Sequence, residues 1–231
     1  MTGGDTTPEM LSYDLLICDC DGVLVDSEPL AARAMIALLN ATGTAATEAM
    51  IAECIGMKQA DILAHIVART GQPIDPDVPD RLWPETRDLF GRELAPVDGA
   101  RKALAAVAAP RCVASSSHVE RIRFSLAKAG LADLFGEAVF SSQMVRRGKP
   151  APDLFLHAAE RMGADPARCV VVEDSVPGVT GAVAAGMTAI GFIGGSHLDE
   201  RHAAALTGAG AAHVAADWRD VARLLGAEGP A

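Results

Sequence analysis

Three short apolar runs in this 231-residue chain stop abruptly on acidic or hydroxyl residues, and that pattern constrains the fold most. Asp14-Leu15-Leu16-Ile17-Cys18 runs into Asp19-Cys20-Asp21-Gly22. Arg111-Cys112-Val113-Ala114 runs into Ser115-Ser116-Ser117, and Cys169-Val170-Val171-Val172 into Glu173-Asp174-Ser175. Nearly continuous hydrophobicity, without polar alternation, marks strands buried on both faces, as in a parallel sheet. Ala138-Val139-Phe140 and Thr188 to Phe192 add two further strands. Between them lie helical stretches at Gly99 to Val107, Val119 to Ala129 closed by Gly130, Pro152 to Met162, and Val179 to Ala185. Strand–helix alternation predicts a parallel α/β sheet with right-handed crossovers and helices on both faces. Weaker elements complete the C-terminus.

Between the first and second strands the pattern changes. Leu30, Met35, Ile36, Leu38 and Leu39 form one helical stripe, and Ile62, Leu63, Ile66 and Val67 another. Pro73, Pro76 and Pro79 mark a connection before an amphipathic stretch through Leu82, Leu89 and Phe90. No strand pattern occurs from Glu28 to Glu93, so the segment reads as an all-helical insert.

Composition excludes several classes. Twenty Lys+Arg against 30 Asp+Glu give a net charge of −10, which opposes a nucleic acid or an anionic membrane surface as partner. A small phosphorylated ligand needs only local positive charge. Five cysteines without framework spacing, three of them in strand-like runs, predict a reduced cytoplasmic protein. The first residues carry neither the charge nor the apolar stretch of a signal peptide, and no apolar run approaches the ~20 residues of a membrane helix. Oligomeric state is left open, with a monomer favoured.

Ligands of open α/β sheets bind beyond the carboxyl ends of the strands. Here those ends carry Asp19, Asp21, Ser115, Glu173 and Asp174. Carboxylates gathered at one edge repel each other unless a cation lies between them, and hard oxygen donors beside a phosphorylated ligand point to Mg²⁺. Lys149, one of four lysines beside sixteen arginines, lies in the turn Gly148-Lys149-Pro150 and could neutralise a phosphate oxygen.

Taken in order, these residues resemble the four motifs of the haloacid dehalogenase superfamily. Asp19-Cys20-Asp21-Gly22-Val23-Leu24-Val25-Asp26-Ser27 looks like the first motif, and Ser115 like the second. Lys149 in Gly-Lys-Pro-Ala-Pro-Asp looks like the third, and Glu173-Asp174-Ser175 with Gly178 and Ala185-Gly186-Met187 like the fourth. The resemblance spans essentially the whole chain. It implies a Rossmann-like core of residues 1–26 and 95–231 with a small helical cap at 27–94, as in the phosphatase and β-phosphoglucomutase-like subfamily. It also implies a Mg²⁺-dependent phosphatase for a small phosphorylated metabolite, such as a sugar phosphate. Asp19 would be the nucleophile and Asp21 the acid/base. Asp19, the Asp21 backbone carbonyl, Asp174 and Glu173 (directly or through water) would hold the metal. Ser115, the Ser116 N–H, Lys149 and Gly22 would accommodate phosphate. Lys58 and Gln59, in a glycine-containing cap loop, are candidates for substrate contact.

Each residue also has a plainer reading. Asp19 and Asp21 can be turn residues, the three serines a polar loop, and Gly56-Met57-Lys58-Gln59 an interhelical turn. Asp26 and Ser27 read as caps of the first helix, Ser117 as structural, and His118 as a surface helix start. Cys18 and Cys20 lack further zinc ligands and read as core, and Gly194-Gly195 reads as a loop. Three other functions compete. A β-phosphoglucomutase-like enzyme carries a histidine twelve residues past the nucleophile, where this chain has Ala31. A 2-haloacid dehalogenase has no use for Asp21 or a metal, and a non-catalytic binding protein has no need of the full residue set.

Overall fold

The computed structural model describes residues 10–54 and 59–227. Its centre is one parallel sheet of six strands: β1 (Leu15–Cys18), β2 (Arg111–Ser115), β3 (Val139–Ser141), β4 (Cys169–Glu173), β5 (Thr188–Phe192) and β6 (His213–Ala215). Their order is β3-β2-β1-β4-β5-β6. From β1 the chain steps outward to β2 and β3, then returns to β4 on the other side and steps out to β5 and β6. The carboxyl ends of β1 and β4 therefore flank the crevice where strand order reverses. The sixth strand, three residues long and half-buried, has no apolar run that the sequence could display.

Along the chain, four helices are inserted after β1: α1 (Glu28–Ala41), α2 (Glu48–Ala52), α3 (Gln59–Thr70) and α4 (Val78–Glu93), all ahead of α5 (Ala100–Ala106) and β2. The described residues of this insert contain no strand, as its periodicity predicts. Leu38, Leu39, Ala46, Ile66, Val78 and Leu82 form a separate apolar cluster. At its two ends, Leu30 and Phe90 pack into the core beneath the sheet instead.

The remaining helices are α5 (Ala100–Ala106), α6 (Val119–Lys128), α7 (Ala132–Phe135), α8 (Asp153–Met162), α9 (Val176–Ala184), α10 (Glu200–Gly208) and α11 (Trp218–Leu224). Gly130, with φ +67°, ends α6 in the left-handed conformation expected of it. Leu16, Cys18, Val113, Val170, Val172 and Ile190 face α5, α6 and α11. Leu15, Ile17, Cys112, Ala114, Val171 and Ala189 face α8, α9 and Leu206 of α10. Both faces are thus covered, which explains the unbroken apolar runs. Burying a large aliphatic side chain stabilises by about 1.5–3 kcal/mol. A one-residue slip would turn each set to the opposite face, so the register Cys18↔Val172 is firmly specified. It puts Asp19 beside Glu173. Trp218 Nε1 donates to the Val23 carbonyl at 2.9 Å and pins the loop beyond β1.

Candidate active site

Asp19 extends the β1 ladder by one residue, its N–H donating to the Val172 carbonyl at 3.0 Å. Lys149 Nζ donates to Asp19 Oδ1 at 2.6 Å and to Glu173 Oε2 at 3.0 Å, and stands 5.2 Å from the Phe155 ring centroid. Ser175 caps α9 by accepting from Gly178 N at 3.1 Å, and its hydroxyl donates to Glu173 Oε1 at 2.5 Å. Glycine is required at two points. A Cβ on Gly178 would lie 1.7 Å from Glu173 Oε1, and one on Gly22, where φ is +75°, would lie 2.0 Å from Asp174 Oδ2. The backbone makes room for both carboxylates.

Asp19, Lys149, Glu173 and Asp174 are all buried. Burial, reinforced by Glu173 and opposed by Lys149, raises Asp19 to about 7. Burial also raises Glu173 despite Lys149, and lifts Asp174 well above the carboxylate range with Asp19 and Glu28 adding to it. Lys149 is driven the other way: burial would lower it, but Asp19 and Glu173 outweigh that and raise it. One carboxylate oxygen from each of Asp19, Glu173 and Asp174 lies within 4.8 Å of the others. Three carboxylates against one ammonium leave an excess of two negative charges when ionised. A hard divalent cation fits that donor set in both charge and ligand type.

Asp21 occupies a different setting. Arg121 Nη2 donates to its Oδ1 at 2.9 Å, Ser27 Oγ to the same oxygen at 2.6 Å, and Ser117 Oγ to Oδ2 at 2.6 Å. Burial pushes this carboxyl up, but Arg121 and the two hydroxyls prevail and hold it below its ordinary range. Ser27 therefore departs from its expected part: its side chain makes no capping bond to α1 and serves Asp21 instead. Asp26 makes no cap either, accepting from Ser196 N and Oγ at 3.2 and 3.0 Å. Ser117 touches Asp21 directly. Arg121, on the third position of α6, is absent from the sequence-derived site because only the fold brings it to Asp21.

The other candidates divide. Ser115 is buried at the end of β2, its Oγ accepting from Ser117 N at 3.1 Å. Ser116 is exposed, and its carbonyl accepts from Ser142 Oγ. Gln59 is exposed at the first position of α3, and Lys58 lies outside the described residues. His118 is the exposed residue before α6, as anticipated. Cys18 and Cys20 are buried in the main apolar cluster. Gly195 is more than loop: a Cβ there would lie 3.0 Å from the Gly22 carbonyl.

Fold and site together place a buried acidic cluster, with one lysine inside it, at the switch point of a parallel sheet. The haloacid dehalogenase-like hydrolase profile matches residues 13–186. A 6-phosphogluconate phosphatase of Escherichia coli is 30% identical over 190 residues, covering 81% of this chain and 86% of that protein. The crystal structure of a haloacid dehalogenase-like protein of unknown function from Agrobacterium tumefaciens superposes with a TM-score of 0.83 at 38% identity, covering 93% and 98% of the two chains. That of a putative β-phosphoglucomutase from Thermotoga maritima does so with a TM-score of 0.76 at 27% identity, covering 92% and 98%. The chain belongs to the haloacid dehalogenase-like hydrolases and is an enzyme of their phosphatase type. Among the described residues no helix is long and apolar enough to cross a membrane.

Proposed function

We propose that the protein is a Mg²⁺-dependent phosphomonoester hydrolase acting on a small phosphorylated carbohydrate through an aspartyl-phosphate on Asp19. The observation that carries this reading is the contrast between two carboxylates two residues apart. Asp19 is buried against Lys149 and the acidic cluster, whereas Asp21 is held outside that cluster by Arg121, Ser27 and Ser117. Environments that separate paired carboxylates assign them different tasks.

In the proposed sequence an Asp19 carboxylate oxygen attacks phosphorus in line. The bond to the leaving oxygen breaks as Asp21 protonates that oxygen, and the alcohol departs. Asp21 then takes a proton from water, whose oxygen attacks phosphorus, releasing inorganic phosphate and restoring Asp19. Substrate-free Asp21 has the form suited to the second step. For the first it takes up a proton as substrate enters, with Arg121 continuing to hold Oδ1 in place. Lys149, the Ser115 hydroxyl and the Ser116 N–H hold phosphoryl oxygens, and Gly22 leaves space for them. Asp19, the Asp21 backbone carbonyl, Asp174 and Glu173 hold Mg²⁺, which would neutralise the charge opposing attack and keep Asp19 ionised.

Residues 27–94 act as a cap over the core formed by 1–26 and 95–231, excluding bulk water when substrate binds. Lys58 and Gln59 remain the proposed substrate contacts of that cap. A phosphorylated carbohydrate is favoured by the likeness to a 6-phosphogluconate phosphatase. Free, buried thiols suit a reducing cytoplasm. The likeness to a putative β-phosphoglucomutase supports a second reading, phosphoryl transfer to a sugar. Against it, Ala31 offers no titratable group and packs against the main core.

The test is phosphate release from a panel of sugar, sugar-acid and sugar-alcohol phosphates with Mg²⁺ or chelator. The reading predicts Mg²⁺-dependent hydrolysis of at least one. Turnover that needs a bisphosphorylated sugar and releases little phosphate would replace it with the mutase. No phosphate release from any member would favour a binding protein.

A further inference from the structure

We propose that His197 and His202 form an outer shell to the cation site, orienting Asp174 and thereby setting how tightly the site holds Mg²⁺. The inference rests on the cation-dependent reading above and concerns residues outside the ligand set.

The segment after β5, Gly194-Gly195-Ser196-His197-Leu198-Asp199, supplies both rings. Asp199 caps α10, accepting from Arg201 N at 3.0 Å and His202 N at 3.4 Å, which fixes His202 on the first turn. Leu206, buried against β5, anchors the same helix. From there His202 Nε2 reaches the Asp174 backbone carbonyl at 2.5 Å. A carbonyl only accepts, so this nitrogen carries the hydrogen.

His197 approaches the carboxylate itself, with Nε2 3.6 Å from Asp174 Oδ2 and the side chain 14% exposed. Its Nδ1 is buried without a hydrogen-bond partner, which leaves the edge facing Asp174 as the polar contact of the ring. Two glycines shape its seat. A Cβ on Gly195 would lie 2.9 Å from His197 Cε1, and one on Gly22 would lie 3.1 Å from the same atom. Ser196 fastens the segment to Asp26 through its N–H and hydroxyl.

Asp174 needs such support more than its neighbours do. Lys149 holds both Asp19 and Glu173, and Ser175 also holds Glu173. Among the described residues no side chain hydrogen-bonds the Asp174 carboxylate, and His197 Nε2 stands 3.6 Å from its Oδ2. Outer-shell partners of metal-ligating side chains fix their orientation and basicity.

The decisive experiment is calorimetric titration of Mg²⁺ into substrate-free wild type, His197→Ala, His202→Ala and His197→Gln, with Tm of each metal-free protein measured in parallel. Loss of an outer-shell partner costs roughly 10- to 100-fold in metal affinity, and each alanine variant is expected to weaken Mg²⁺ binding by about that factor. His197→Gln, which keeps an N–H at the same reach, recovers most of the loss, and metal-free Tm stays near wild type. Unchanged Mg²⁺ affinity in both alanine variants overturns the proposal while leaving Mg²⁺-dependent hydrolysis standing. So does an effect confined to metal-free Tm. Wild-type protein that binds no Mg²⁺ and hydrolyses substrate in chelator overturns the parent reading as well.

Discussion

Arg121 and Asp21, 100 residues apart in the chain, meet at 2.9 Å, and the same guanidinium lies 5.2 Å from the centroid of the Phe90 ring in α4. One side chain thus touches both the proposed acid/base and the last helix of the insert. Neighbouring contacts reinforce the junction: Trp83 of α4 meets Phe124 of α6 edge-on at 5.9 Å, and Arg87 stacks over that ring at 5.2 Å.

If Arg121 places Asp21, its loss depends on the leaving group. Arg121→Met keeps an apolar contact with Phe90 and removes the donor. Turnover of an alkyl phosphate, whose leaving oxygen needs a proton, is expected to fall by about 100-fold, at the low end of general acid–base contributions. First-turnover release of nitrophenolate from an aryl phosphate, which needs none, is expected to change far less. Equal losses on both substrates would assign Arg121 a purely structural part.

Lys149 pairs with two buried carboxylates at once. Removing one partner of a buried pair costs roughly 3–5 kcal/mol. Lys149→Met should lose about that much stability in chelator, measured by urea unfolding near pH 8. At pH 5, where raised carboxyls such as Asp19 are protonated, the loss should shrink. A loss independent of pH would contradict this account of the cluster.

Gly178→Ala separates helix propensity from site geometry. In an exposed helix interior the change would stabilise by up to about 1 kcal/mol. Here the new Cβ would lie 1.7 Å from Glu173 Oε1. The variant is therefore expected to be less stable than wild type and to bind Mg²⁺ more weakly. Higher Tm with unchanged Mg²⁺ affinity would show that Glu173 does not need this position.

The acidic cluster also gives stability a pH dependence. Asp19 has a folded pKa of about 7, above its unfolded value, so the folded protein holds the proton more tightly. Without metal, this group's contribution is full below its unfolded pKa and is lost as pH rises through about 7. Tm in chelator should fall between pH 5 and pH 8. Mg²⁺ requires the ionised carboxylates, so its stabilising effect should grow over the same interval. A Mg²⁺-induced Tm shift equal at both ends would count against metal binding by Asp19.

The sequence displays those parts of the molecule whose physical cause is local. β1, β2 and β4 are legible because burial on both faces demands uninterrupted apolar residues. The site residues beyond them are legible because charge follows those runs at once. What depends on meeting across the fold is not. Ser27 looks like a helix cap until β1 and α1 bring its hydroxyl to Asp21, and Arg121 looks like an ordinary helix-face arginine. The histidines at 197 and 202 have no chemical neighbours in sequence, since Asp174 reaches them only through the pairing of β4 with β5. β6 and α2 are too short to show a period.

The most direct measurement is acid quenching of the enzyme during turnover of a hydrolysed sugar phosphate with Mg²⁺, followed by mass spectrometry of the peptide containing Asp19. The account predicts a phosphoryl adduct on Asp19, no adduct in Asp19→Asn, and no phosphate release by that variant. Phosphate release by Asp19→Asn at the wild-type rate, or an adduct on another residue, would contradict it.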